Sequence, residues 1–337
     1  MRTRRPEERK MAENVLEMKN LKVVFPSEKG LIRAVEGVDI EIEKGKCVAL
    51  VGESGCGKSV TSLAAMKLLS SPPAVIRIDK LNLCGEDVLN YSDKKMQSVR
   101  GSKAAMIFQD ALSALNPVMT VGRQLDEVYL RHFKVSKKEA RERSIEALKT
   151  VGIPEAERRY RAFPHELSGG MRQRVLIAMA FACRPELIIA DEPTTALDVT
   201  IQAQVLEVLS DMQKKHGTSL LLITHDLSVV VNMADEIYVM YCGKIVEKAA
   251  KRELFTNPLH PYTKGLISSV AKMSDPKGPF VQIPDSLPNP VNKPQGCYFN
   301  PRCGYACDKC RESMPPLIET KDGRLIRCHL YNGGSAE

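Results

Sequence analysis

The sequence predicts an α/β fold: a mainly parallel sheet gathered around a phosphate-binding loop, an antiparallel β-subdomain at the N-terminus, and a helical subdomain inserted between the sheet's strands. Three observations carry this. Cys47–Val51, Leu187–Ala190 and Leu220–Thr224 are short apolar runs, the pattern of strands buried on both faces. The first runs into Gly52-Glu-Ser-Gly-Cys-Gly57-Lys58-Ser59, a glycine-rich turn that opens a helix. From about Ser92 to Cys183 the chain turns helical and strongly charged, as in SKKEARERSIEALKTVG.

In chain order, Val15 to Phe25 alternates enough to be a strand, and VEGVDIEIEKGKCVALVG supplies two more. A helix begins near Lys58. Between the later apolar runs, Thr200 to Lys215 repeats apolar residues at helical spacing and stops at Gly217. Ile237 to Met240, a turn at Cys242-Gly243, and Ile245 to Glu247 form a hairpin pattern. After about Lys251 prolines multiply and apolar runs cease, so the expectation is a short helix, Thr263 to Val270, then a loop-dominated tail. The expected division is a flexible tail at 1–14, a main domain at 15–255 with its helical subdomain near 92–180, and an extension at 256–337. There is no internal repeat.

Composition narrows the function classes. A net charge of +8 fits either nucleic acid or the cytoplasmic face of an anionic membrane. Trp is absent and aromatics are 5%, which leaves few stacking surfaces for bases and disfavours the first. No stretch reaches the roughly 20 apolar residues that cross a bilayer. The basic start, MRTRRPEERKMAENV, lacks the apolar segment of a secretory signal. The expectation is a chain that stays in the cytoplasm and meets a membrane through partner subunits. Ten cysteines in such a compartment call for chemistry other than disulfides, and five of them, Cys297, Cys303, Cys307, Cys310 and Cys328, crowd into the last 41 residues.

The glycine loop has a mechanism. Its backbone can curl so that N–H groups face phosphates, and the helix N-terminus adds its positive end. Lys58 would neutralise the β- and γ-phosphates and Ser59 would ligate Mg²⁺. Leu187-Ile-Ile-Ala-Asp191-Glu192 supplies the second half: Asp191 at the strand end can hold Mg²⁺ through water, and Glu192 can polarise an attacking water. Leu167-Ser168-Gly169-Gly170, ahead of an apolar helix, offers a hydroxyl and backbone donors to a second phosphate contact. Two phosphate-binding helix starts with one nucleotide loop suggest sites shared between two molecules.

These motifs, in this order over about residues 15–255, resemble the ABC ATPases. The resemblance implies a P-loop cassette with a RecA-like parallel sheet, binding ATP and Mg²⁺ through Gly52, Ser54, Gly55, Cys56, Gly57, Lys58, Ser59 and Val60. Gln109 in IFQD matches the loop that senses the γ-phosphate, reaches Mg²⁺ and abuts the membrane subunit. LSGG at 167–170 matches the family signature, Ala196-Leu197-Asp198 the segment that crosses the dimer, and His225 in ITHD the switch histidine. Glu192, His225 and Lys58 would be the catalytic groups. An aromatic residue usually stacks on the adenine at the end of the first strand, where Phe25 stands; Arg33 offers a flat guanidinium instead.

IFQDALSALNP, FPHELSGGMRQR and NPLHPYTKGL are similar to segments of dipeptide and oligopeptide permease ATPases. That resemblance implies a second, related ATPase chain packed head-to-tail, two transmembrane permease subunits, an external solute-binding protein acting indirectly, and a peripheral position on the cytoplasmic membrane face. The spacing Cys297-x5-Cys303-x6-Cys310-x17-Cys328 resembles the C-terminal pattern of that group, whose members can hold a [4Fe–4S] cluster on four thiolates. Structural zinc usually shows cysteine pairs two to four residues apart, a poorer match. Cys307 makes a rival Cys303-x3-Cys307-x2-Cys310 pattern. Importers of nickel or another small solute are the alternative within the class. ABC proteins acting on nucleic acid carry two cassettes or long coiled coils, whereas here about 110 residues separate Gly57 from Ser168; no nucleic-acid partner is expected.

Overall fold

The computed structural model describes residues 13–195, 197–274 and 287–331. Most of the expected 1–14 tail, Ala196, and 275–286 and 332–337 of the expected extension lie outside the described residues. Two 14-residue strands, β1 (Asn14–Ser27) and β2 (Gly30–Glu43), form an antiparallel hairpin. β3 (Cys47–Val51) leads into the loop before α1 (Lys58–Ala65). Three short strands that the sequence pattern did not disclose, β4 (Val75–Arg77), β5 (Lys80–Leu83) and β6 (Glu86–Asp87), complete the N-terminal sheet in the order β2-β1-β5-β6 with β4 also on β1. Every pairing in it is antiparallel, as expected of the β-subdomain.

Residues 92–183 are not wholly helical. β7 (Ala104–Ile107) lies between α2 (Asp93–Met96) and α3 (Ala111–Ala114) and closes one edge of the main sheet. A four-residue run of Ala, Ala, Met and Ile carries no period that separates strand from helix, which is why it was hidden. Beyond it the helical reading holds through α4 (Val121–His132), α5 (Lys137–Thr150), α6 (Ala156–Arg159) and α7 (Gly169–Phe181).

The main sheet is completed by β8 (Leu187–Asp191), β9 (Ser219–Thr224), β10 (Glu236–Tyr241) and β11 (Lys244–Ala250). Strands β7, β8, β9, β3 and β10 pair in parallel, and β11 returns antiparallel on β10. Every residue of β3, β8 and β9 is buried, so these apolar runs are the sheet's interior. Helices α8 (Val199–His216) and α9 (Leu227–Met233) link the later strands. α8 begins on an Asp198 carboxylate that accepts the Ile201 N–H and ends on Gly217 at φ 63°.

The extension is continuous with this sheet. α10 (Lys251–Thr256) and α11 (Pro261–Ser274) follow β11. After α12 (Asp308–Glu312), β12 (Ile318–Glu319) pairs with β13 (Leu325–Ile326), and β13 pairs with β11 through Glu247↔Ile326. Among the described residues no helix is long and apolar enough to cross a membrane.

Candidate functional site

The loop 52–59 sits at the C-terminal end of β3, where a parallel sheet opens its crevice. Gly57 takes φ 111°, and a Cβ there would stand 2.5 Å from the Ala34 carbonyl oxygen, so only glycine fits. Lys58 is buried, its Nζ donating to the carbonyls of Gly52 (2.8 Å) and Glu53 (3.0 Å). Ser54 and Gly55 are exposed at the loop's tip, and Ser59 and Val60 are half-buried at the helix start. The Cys56 thiol is buried and burial pushes it up to about 11, so this residue faces the loop's interior as a neutral side chain and offers the site its backbone.

Asp191, at the end of β8, accepts hydrogen bonds from Ser59 Oγ (3.0 Å) and Ser62 Oγ (3.3 Å). Burial raises its pKa, and the two hydroxyls and Lys58 offset only part of that. A hydroxyl beside a buried carboxylate that lacks a full counter-charge is the donor set expected for Mg²⁺.

Glu192 is the point of convergence. Its carboxylate accepts from Gln109 Nε2 (2.9 Å) and Thr195 Oγ1 (2.9 Å), lies 3.2 Å from His225 Nδ1, and is 3.8 Å from Lys58 Nζ. Burial pushes its pKa up, but the hydrogen bonds from His225 and Thr195 and the charges of His225 and Lys58 outweigh it, leaving the carboxyl below the ordinary glutamate range. Its φ of 45° is a left-handed backbone that a non-glycine residue adopts at some cost. Three residues named from separate sequence motifs, Gln109, His225 and Lys58, thus meet at the Glu192 carboxylate, and Thr195, which the sequence did not single out, joins them.

The signature is placed elsewhere. Ser168 caps α7, its hydroxyl accepting the Met171 N–H (3.3 Å), and with Gly169 it is exposed. Gly170 is buried, and a Cβ there would meet Ile201 Cγ2 of α8 at 2.3 Å, so any side chain at this position would displace Ile201. Leu197 packs on Gly169, which sets the exposed Asp198 beside the signature in the same chain.

Phe25 and Arg33 cannot act together. β1 pairs with β2 through Val24↔Arg33 and Phe25↔Ile32, which puts the two side chains on opposite faces of the hairpin. Phe25 packs half-buried against the core that contains Cys56, while Arg33 is exposed and lines a cavity with Lys244, Lys293 and Tyr298.

Cys297, Cys303, Cys310 and Cys328 all line one cavity, together with His260 and His329. Cys307 is exposed and lies outside it, its Sγ 3.5 Å from that of Cys310. Burial pushes the Cys297 and Cys328 thiols up to about 11. The thiols are gathered but not closed on an ion: among the described residues no group of three or more His, Cys, Asp or Glu side chains is arranged to hold one metal ion.

Sequence reasoning missed Glu53, Tyr262 and Arg302. The Tyr262 hydroxyl accepts the Glu53 N–H (2.9 Å), and Arg302 Nη1 reaches the Glu53 carboxylate (3.1 Å). Tyr262 stands in the NPLHPYTKGL segment and Arg302 precedes Cys303, so both were signalled only as neighbours of other features.

Residues 35–195 match the ABC transporter family, and residues 246–310 match the C-terminal region of oligopeptide/dipeptide transporters. The chain is 50% identical to the oligopeptide transport ATP-binding protein AppD of Bacillus subtilis (strain 168), over 96% of this chain and 98% of that protein. It is 45% identical to the dipeptide transport ATP-binding protein DppD of Escherichia coli (strain K12), over 94% and 96%. Among solved structures, the dimeric cassette MJ0796 in a post-hydrolysis state bound to ADP and Pi matches with a TM-score of 0.61 at 27% identity, covering 70% of this chain and 99% of that one. The chain is therefore an ABC transporter ATPase. Within that class it belongs to the family of oligopeptide and dipeptide transport ATP-binding proteins.

Proposed function

We propose that this chain is the subunit whose ATP hydrolysis drives import of short peptides through a membrane-spanning permease. The observation that carries it is the meeting of Gln109, Thr195, His225 and Lys58 at Glu192, beside the Ser59–Asp191 pair. Lys58 and the N–H groups of the loop and α1 bind the phosphates, exchanging the two carbonyls that Lys58 now satisfies. Ser59 and Asp191, with Gln109 at the far side, would hold Mg²⁺, which when bound neutralises charge on the β- and γ-phosphates. Glu192 is kept ionised by its donors, so it accepts a proton from the attacking water; His225 and Gln109 fix its orientation and stand ready to contact the γ-phosphate.

The exposed Ser168 and Gly169 complete a second chain's site in a head-to-tail dimer, a reading supported by the dimeric cassette at TM-score 0.61. The partner is a related ATPase chain. Two permease subunits take up the motion through the surface near Gln109 at the cytoplasmic face, and an external binding protein selects the peptide. Phe25, on the core side of the hairpin, is the better adenine platform.

The test is Glu192→Gln, which keeps the volume and one acceptor oxygen but removes the charge and the proton-accepting carboxylate. Steady-state hydrolysis falls by about 10²–10⁴-fold while ATP-dependent dimerisation persists, measured by phosphate release and size-exclusion chromatography. Turnover at the wild-type rate overturns the role of Glu192.

The convergence of four cysteines on one cavity supports a [4Fe–4S] cluster held by Cys297, Cys303, Cys310 and Cys328. Held there, such a cluster would play a structural or regulatory part, because hydrolysis needs no redox step. Protein purified without oxygen is expected to contain about four irons and four sulfides per chain. Cys297→Ser or Cys328→Ser removes the brown colour and Cys307→Ser keeps it. Loss of colour in the Cys307 variant overturns the ligand assignment, and one zinc per chain overturns the cluster.

A further inference from the structure

Glu53 is the second residue of the phosphate loop, and none of the nucleotide motifs assigns it a role. All three of its polar groups are engaged. Its N–H donates to Tyr262 Oη (2.9 Å), its carbonyl accepts from Lys58 Nζ (3.0 Å), and its carboxylate accepts Arg302 Nη1 at 3.1 and 3.2 Å. Tyr262 and Arg302 come from α11 and from the turn just before Cys303, 209 and 249 residues further along the chain. Both are buried: Tyr262 is 0% exposed and the Arg302 side chain 4%. Arg302 Nη1 also reaches Tyr241 Oη (3.3 Å), and the rings of Tyr241, Tyr262 and Phe299 pack on one another at centroid distances of 4.7 to 5.5 Å. Tyr262 and Phe299 of the extension, together with Tyr241 of β10, therefore form an aromatic wall behind the loop, and the Arg302 guanidinium reaches from it.

That arrangement matters because the loop must accept a polyphosphate. A carboxylate carried on this loop adds negative charge where the incoming anion must bind. A buried guanidinium opposite it cancels the charge locally, and a guanidinium that reaches both carboxylate oxygens fixes the side chain's direction. We propose that Arg302 is a positioning residue of the ATP site: it neutralises and orients Glu53 from the C-terminal extension, and with Tyr262 it sets the phosphate loop's register, so that the extension tunes ATP affinity. The inference rests on the loop being the ATP site.

The test is the KM for ATP and the kcat of the assembled transporter carrying full-length variants. Arg302→Gln is expected to raise KM about tenfold with kcat within about twofold, the loss expected when a charged hydrogen bond at a binding loop is removed. Adding Glu53→Gln to it brings KM back to within about threefold of wild type, because the unpaired carboxylate has gone. Arg302→Lys retains the charge and recovers most of the affinity. A merely structural role gives a different pattern: kcat and melting temperature fall together, KM is unmoved, and the double variant is no better than the single. Either an unchanged KM in Arg302→Gln or no recovery in the double variant overturns the proposal. Should Arg302→Gln fail to fold, Glu53→Gln alone decides, since it is expected to lower KM and a rise overturns the idea. Absence of hydrolysis by the wild-type complex is a separate result, and it would reject the ATP reading itself.

Discussion

The middle and the far edge of the main sheet are held by different forces. In β3, β8 and β9 every residue is buried, and the parallel ladder together with apolar packing on both faces fixes the strands. At the far edge, β12 and β13 have two residues each, too few to hold a fold by ladder bonds. Residues 287–331 are held instead by a few buried apolar side chains, Phe299 and Ile326 among them, and by isolated polar anchors. Lys293 Nζ donates to Arg33 O, Glu36 Oε1 and Cys242 O, each at 2.7 Å, and Arg324 Nη1 donates to Asn257 O at 2.8 Å. The turn before α11 is held in the same way, the buried Glu247 carboxylate taking the N–H groups of Leu259 and His260, both at 2.9 Å. The centre is therefore tolerant of any one lost contact within its ladder, and the edge is sensitive to single polar residues.

The strongest way to break that comparison is to strike the core at a place where backbone shape rather than packing decides. Gly57→Ala puts a Cβ into a φ of 111° and within 2.5 Å of Ala34 O. Backbone strain of this kind costs about 1–3 kcal/mol, and the contact with a backbone oxygen adds to it, so ATP affinity is expected to fall about 100-fold. Strain that the folded chain keeps also lowers its stability, so the melting temperature is expected to fall by several degrees, about 2–4 °C for each kcal/mol in a chain this size. Titration with a fluorescent ATP analogue, with circular dichroism in parallel, checks both. Wild-type affinity would mean that the loop is plastic. A collapse in melting temperature would mean that the core is as dependent on single positions as the extension.

The same contrast governs what the sequence discloses. Apolar runs and glycine loops are local, so β3, β8, β9, the phosphate loop and the caps at Asp198 and Gly217 can be read from adjacent letters. So can Gln109, His225 and Lys58, which converge on Glu192, because each sits in its own short motif; Thr195 became visible only in the fold. Three kinds of feature are not local. β7 is a four-residue run without a diagnostic period, so it passed as helix. The opposite facing of Phe25 and Arg33 depends on the β1–β2 register. The anchors of the extension join residues as far apart as Glu53 and Arg302, and nothing near either position announces the other. The cysteines were legible as a set because of their chemistry. Their shared cavity, and the exclusion of Cys307 from it, required the fold.

A smaller and slower effect sharpens the comparison at the edge. His260 is 1% exposed, and its Nδ1 accepts the N–H of Tyr262 at 3.0 Å, the residue whose hydroxyl holds Glu53. Burial pushes its pKa from 6.5 down to about 3. Between those two values the unfolded chain carries a proton on this imidazole and the folded chain does not. Stability from this group is thus fully present above pH 6.5 and drains away as pH falls toward 3, by at most about 1.4 kcal/mol per pH unit. Glu247, which faces the same turn, works the other way: burial raises its pKa, so the folded state binds the extra proton and partly offsets the loss. Comparing the wild type with His260→Asn removes that complication, since Glu247 is common to both and the Asn carbonyl can still accept the Tyr262 N–H. At pH 7.5 the wild type melts higher, and the gap narrows steadily as pH falls from 6.5 to 5. A gap that stays constant with pH would show that His260 is not the edge's acid-labile anchor.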